Sequence, residues 1–112
     1  MVRPARFGIR DLTDGATRVL AVEGELDLNT IGVLARGVQD RLGESPGNLT
    51  LDLSAVTFMD SSGLRLLIEL SERARREEWT LSLLPSSHES ANAVLRMTGA
   101  DEALPFERPV GS

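Results

Sequence analysis

Between Thr17 and Leu84 the apolar positions switch period from two to about 3.6 and back, and each switch marks a change of element. RFGIRDL and TRVLAVEGELD predict two strands. TDGAT between them predicts a tight hairpin, because the glycine after Asp14 accepts the positive φ such turns need. Leu28, Ile31, Leu34, Ala35, Val38 and Leu42 then recur at three- and four-residue steps, which is one face of a helix, with Asp27 or Asn29 available as its cap. GESPGN, with one proline and two glycines, breaks that helix.

LTLDLSAV predicts a third strand in which Leu49, Leu51 and Leu53 alternate with Thr50 and Asp52. A strand covered on both faces would be apolar throughout, so one face of the sheet is expected to be less covered. A second helix is expected from Ser61 to about Arg76, burying Leu64, Leu67 and Ile68 with help from Leu66 and Leu70. WTLSLL predicts a fourth strand through Trp79, Leu81 and Leu83. SSHESANAVLRMTGA predicts a third helix, with Ser86 and Glu89 at capping-box spacing and Gly99 at the C-cap. ALPF predicts a short last strand that Pro105 confines to an edge.

The order β-β-α-β-α-β-α-β is a hairpin feeding two βαβ units. Strands ending at Asp27, Asp60 and about Leu84 should then be parallel, joined by right-handed crossovers. The expected class is α/β: one domain over residues 1–112, with a recognisable core at about 7–106. Its mixed sheet should hold four to five strands, with helices mainly on one face. The corners Gly24–Asp27 and Met59–Gly63 both fall at the carboxyl edge of this sheet, where open α/β folds place their sites.

Composition removes several function classes. At 112 residues with 41% hydrophobic and 26% charged positions, the chain suits one soluble core. The absence of cysteine excludes disulfides, thiol catalysis and cysteine-ligated zinc. A net charge of −5 argues against direct nucleic-acid binding; Arg73, Arg75 and Arg76 alternate with Glu72, Glu77 and Glu78 as a solvated helix face. MVRPARFGIR lacks the apolar core of a signal peptide, and no window is long enough for a membrane span, so a cytoplasmic protein with no membrane partner is expected.

The chemistry concentrates in MDSSG. Aspartate and serine are favoured helix N-caps, each worth about 1 kcal/mol, and Asp60 or Ser61 fills that role. One cap is enough, which leaves the Ser62 hydroxyl in the first turn able to point outward. A helix N-terminus with free N–H groups favours a phosphate, and phosphorylation would add roughly −1.5 to −2 charges at a surface suited to docking. Arg65, three residues on, can reach back to such a phosphate or stay a solvated charge.

LDLSAVTFMDSSGLRLLIEL, with VEGELDLNT upstream and VLRMTGADEALPF downstream, resembles bacterial anti-sigma factor antagonists of the STAS-domain family over nearly the whole chain. The resemblance implies a partner-switching phosphoprotein. Ser62 would accept phosphate from an anti-sigma factor that is also a serine/threonine kinase. The unphosphorylated form would bind that kinase and free the sigma factor, and a PP2C-type phosphatase would reset the switch. By position, Asp60 would orient the loop, Ser61 would cap the helix, and Gly63 would let the kinase approach the backbone. Leu64 and Arg65 would complete the switch loop, while Gly24, Glu25, Asp27 and Asn29 would extend the docking surface from the adjacent corner. Many relatives carry glycine where this chain has Arg65, which implies altered kinase fit. The end at Ser112 leaves little room for the terminal helix common in the family, so one side of the core is expected to be open or covered by a partner.

Two rivals come from other classes. Ser62 or Ser61, His88 and Asp60 could form a hydrolase triad, but the G-x-S-x-G elbow is missing and His88, the only histidine, starts a helix. A STAS fold can also serve as a non-switching scaffold or adaptor in a stress-signalling or lipid-transport complex, and would then tolerate Ser62→Ala. No metal site is expected, since Asp11 and Asp14 belong to the hairpin. No cofactor is expected either; without a glycine-rich phosphate loop, a weakly bound nucleotide is the only one left open.

Overall fold

The computed structural model describes residues 7–44 and 47–111 and, of Glu44, the backbone alone. Its elements in chain order are β1 (Gly8–Asp11), β2 (Val19–Leu26), α1 (Ile31–Glu44), β3 (Leu49–Met59), α2 (Ser61–Glu77), β4 (Leu81–Leu84), α3 (Glu89–Thr98) and α4 (Ala100–Ala103). The four strands lie side by side in sequence order, β1 antiparallel to β2 and the rest parallel. The hairpin closes as expected: Asp14 and Thr17 exchange both backbone hydrogen bonds around Gly15, whose φ is +59°.

Two right-handed crossovers that step the same way along a sheet must put their helices on one face, and α1 and α2 pack side by side. An Arg73 guanidinium donating to Gln39 Oε1 at 2.9 Å joins them across their outer surfaces. The opposite sheet face carries Arg10, Glu23, Glu25, Asp52 and Ser54, all exposed or half-buried, which is the less covered face that the alternation of β3 predicts. The core lies between sheet and helices: Val22, Leu26, Leu34, Val38, Leu51, Leu53, Val56 and Leu67 are each under 2% exposed.

β3 is longer than its regular alternation indicates, and the reason is local. Its buried positions run Leu49, Leu51, Leu53, then Val56 and Met59. Each three-residue step coincides with a register shift against β2, between Ala21 and Glu23 and again between Gly24 and Glu25. Each bulge adds one residue and resets which face points inward, so β3 stays amphipathic to Met59. On β2, opposite the second bulge, Gly24 takes φ +97°, a conformation that glycine adopts without strain.

Several boundaries differ from expectation. α1 starts three residues after Leu28, because Asp27 to Thr30 form a tight turn: the Asp27 carbonyl accepts from the Thr30 and Ile31 amides, at 3.0 and 2.9 Å. Leu28 is therefore off the helix and 72% exposed. The chain break falls later than GESPGN suggests, since Gly43 and Glu44 continue α1, and Ser45 and Pro46 lie outside the described residues. In α2 the buried stripe is Leu64, Leu67, Leu70 and Ala74, which rotates Ile68 to the rim, 38% exposed. Trp79 is buried ahead of β4: Glu78 takes the left-handed conformation at φ 61° and the Trp79 amide returns to the Ala74 carbonyl.

The expected Ser86–Glu89 capping box is absent. α3 starts at Glu89 with His88 as a cap that makes no side-chain bond, because Ser86 is committed elsewhere. Its hydroxyl donates to the Val56 carbonyl and accepts from the His88 amide at 2.9 Å. Glu89 instead pairs with Arg96. These bonds, with Ser87 to Ser54 and Ser90 to Thr57, lay the start of α3 along the part of β3 that extends beyond β4. Gly99 ends α3 at φ +78° as expected, and a short α4 follows. ALPF contributes one parallel bridge, Phe106 to Leu83, on the outer edge of β4.

Candidate functional site

The two corners singled out in the sequence meet at the carboxyl edge. The Asp60 amide donates to the Leu26 carbonyl at 3.3 Å, tying the start of α2 to the end of β2. The contact is close enough to require glycine at 63, where a Cβ would stand 2.8 Å from both the Leu26 carbonyl oxygen and Met59 Cγ. Gly63 is buried, so its smallness serves the packing of α2 on the sheet. Leu64 is likewise 8% exposed and belongs to the core, and Gly24 is buried on β2 opposite the second β3 bulge.

Asp60 is the cap. Its Oδ1 accepts from the Ser62 amide at 2.8 Å and the Gly63 amide at 3.2 Å, and its carbonyl accepts from Leu64. Three of the first amides of α2 are thus taken by one residue, which leaves less of a free amide cluster for a phosphate than the sequence alone suggests. Ser61 is exposed and not needed as a cap.

Ser62 is half-buried, and its hydroxyl has no hydrogen-bond partner among the described residues. It lines a shallow groove of about 280 Å³ between α1 and α2, with Leu28, Ile31, Ala35, Arg65 and Leu66. On the other corner Asp27 Oδ1 accepts from the Asn29 amide at 2.9 Å, and Thr30 Oγ1 donates to the Glu25 carbonyl at 2.7 Å. Glu25 and Asn29 are exposed and Asp27 half-buried, beside the serine corner. Asn29 does not cap α1; it supplies the amide that Asp27 binds.

Two apolar side chains at this edge were not picked out from the sequence as surface residues. Leu28 projects beside Ser62, and Phe58, opposite Glu25 in the register, is 39% exposed. Leu28 matches the helical period of α1 so well that only the Asp27 turn, which ends before the helix begins, reveals it as surface.

No side-chain hydrogen bond joins His88 to Asp60, Ser61 or Ser62 among the described residues, and the Asp60 carboxylate is occupied by backbone amides rather than aimed at an imidazole. Among the described residues two carboxylates sit below their ordinary range, both at the surface and away from the serine corner. Asp11 is lowered by hydrogen bonds from the Thr13 hydroxyl and amide and by Arg41. Glu77 is lowered first by the Trp79 indole N–H and then by Arg73.

Residues 9–105 match the family model described as Mlab, STAS domain. The chain belongs to the STAS-domain family. The anti-sigma-F factor antagonist RsfB of Mycobacterium tuberculosis is 40% identical over 55 residues, covering 49% of this chain and 45% of that protein, so the chain aligns with somewhat under half of that relative's length. Among solved structures, an anti-sigma factor antagonist from Mycobacterium paratuberculosis superposes with a TM-score of 0.71 at 25% identity, over 90% of this chain and 85% of that one. The anti-sigma factor antagonist SpoIIAA in its unphosphorylated form shares the fold at a TM-score of 0.63 and 18% identity, over 90% of this chain and 86% of that one. The four-stranded mixed α/β sheet is thus the STAS architecture. Among the described residues no helix is long and apolar enough to cross a membrane.

Proposed function

We propose that this STAS domain is an anti-sigma factor antagonist whose partner binding is switched by phosphate on Ser62. Unphosphorylated, it binds an anti-sigma factor serine/threonine kinase and so releases the sigma factor; the kinase's phosphorylation of Ser62 ends the complex, and a PP2C-type phosphatase restores it. The observation that carries this reading is the division of labour at the corner: Asp60 does the capping, Gly63 the packing, and Ser62 keeps a half-buried hydroxyl with no structural duty.

The surface around that hydroxyl suits a protein partner. Leu28 offers an exposed aliphatic side chain in the same groove, and Asp27 and Asn29 a polar rim on the adjacent corner. A neutral hydroxyl there costs little to cover once hydrogen-bonded, whereas a dianion costs several kcal/mol (order of magnitude) unless the partner pairs it. The switch therefore works by burial and charge, without refolding. In this reading the chain is a binding module rather than a catalyst, acting in the cytoplasm.

The test is phosphopeptide mapping after incubation with ATP and extract of the source cell, beside a Ser62→Ala control. One phosphate on Ser62, absent from the control, is expected. Phosphate on Ser61 or elsewhere would reassign the acceptor. Its absence in an extract with demonstrated kinase activity of this class would leave the constitutive scaffold.

A further inference from the structure

Ser62 and Arg65 share one side of α2. They are three residues apart, which puts their Cβ atoms about 5–6 Å from each other on a helix, and both line the α1–α2 groove. Arg65 is exposed and has no ion-pair or hydrogen-bond partner among the described residues, although Glu69 lies one turn further along the same groove. Of the other arginines on α2, Arg73 binds both Glu77 and Gln39, and Arg75 and Arg76 lie at the far end of the helix, about three to four turns from Ser62. The groove thus holds one unengaged guanidinium within reach of the one unengaged hydroxyl.

We propose that Arg65 is the counter-ion of a phosphate on Ser62, an intramolecular clamp that draws the modified side chain toward the groove and away from the sheet edge. This inference rests on the phosphoswitch reading above and specifies how its phosphorylated state is held. Two features make a side-chain cation necessary. The Ser62 and Gly63 amides, which a phosphate at a helix start would otherwise use, are already bonded to Asp60 Oδ1. The other charged side chains at this end of α2 are acidic: the Asp60 carboxylate at its cap and Glu69, which lines the groove with Ser62 and Arg65, while α1 presents only Ile31, Gly32 and Ala35 to it. A dianion left unpaired there would face carboxylates. A guanidinium binds phosphate through two parallel N–H donors, which sets orientation as well as charge.

The clamp has a consequence for the switch. A phosphate held by Arg65 is shielded by its own chain, so the partner cannot gain binding energy by supplying a cation, and release is sharper. The phosphatase must compete with Arg65 for the same oxygens.

The experiment uses the full chain with phosphoserine installed at position 62 during translation, which bypasses any kinase. Phosphorus NMR then follows the second phosphate ionisation in the parent, in Arg65→Gln and in Arg65→Lys. Proton–nitrogen spectra of the three confirm the fold. The clamp predicts a second pKa lower in the parent than in Arg65→Gln by about half a unit at low salt, a discounted value for an exposed pair. Arg65→Lys should retain part of the shift, and about 1 M salt should erase most of it. A further sign is a phosphate-dependent shift of the Arg65 Nε–H resonance. Equal pKa values in the parent and Arg65→Gln, whether both ordinary or both lowered, would overturn the clamp; both lowered would assign the phosphate to backbone amides. Because the phosphoserine is installed during translation, failure of Ser62 to be modified in cell extract would sink the phosphoswitch and leave this measurement intact.

Discussion

The molecule contains two serine pairs at helix starts beside the same strand, and they have opposite fates. At the start of α3, Ser86 is 7% exposed, donates to the Val56 carbonyl and accepts from the His88 amide. At the start of α2, Ser61 and Ser62 do none of this, because Asp60 has taken the amides. A hydroxyl becomes available for regulation where a stronger cap stands before it. Where no aspartate precedes the pair, the serine is drawn into the structure. The α2 corner is a rigid mount carrying a spare group, and the α3 corner is all mount.

The largest effect expected is on the rigidity of that mount. Gly63→Ala would drive a methyl into the Leu26 carbonyl and the Met59 side chain at 2.8 Å, and overpacking of this kind costs about 2–3 kcal/mol. Urea unfolding followed through Trp79, the single tryptophan and a buried one, measures the loss directly.

Next comes the contrast itself. Ser86→Ala strands the Val56 carbonyl and the His88 amide and should cost about 2 kcal/mol. Ser62→Ala should change stability by less than about 0.5 kcal/mol while abolishing phosphorylation. Similar costs for the two alanines in the same urea series would remove the distinction between a structural and a spare serine. Asp60→Ala should fall between them, at about 1 kcal/mol, the ordinary worth of an N-cap.

The smallest effect concerns pH. Glu77 is held below the usual glutamate range by the Trp79 indole and by Arg73. A carboxylate with a folded-state pKa below its unfolded value contributes stability that is present above the unfolded pKa and lost as pH falls through the folded one. Trp79 emission should therefore show a small acid transition below the ordinary range, and Glu77→Gln should remove it.

Much of the architecture was legible because it rests on local patterns: the Asp14–Gly15 turn, the period of α1 and α2, and Gly99 at the end of α3 each need only neighbouring residues. The parallel order followed from chain connectivity alone, and with it the meeting of the two corners. What was hidden depended on contacts distant in sequence. Ser86 and Glu89 had the spacing of a capping box, but the Val56 carbonyl, thirty residues away, outcompeted it. Leu28 obeyed the helical period and was still surface, because the Asp27 turn delays α1. The need for glycine at 63 comes from its close approach to Leu26, a contact that only the folded chain shows. At the site the helix cap was readable as Asp60 or Ser61, whereas the groove shared by Ser62, Leu28 and Arg65 exists only once α1 and α2 are packed.

The most direct test of the central claim is calorimetric titration of the chain, with serine or phosphoserine at position 62, into the purified anti-sigma factor kinase of the same organism. The account predicts tight binding by the serine form and an affinity about 100-fold or more weaker for the phosphoserine form, the cost of covering a charged, hydrated phosphate that the partner does not pair. Equal affinities for the two forms would contradict it.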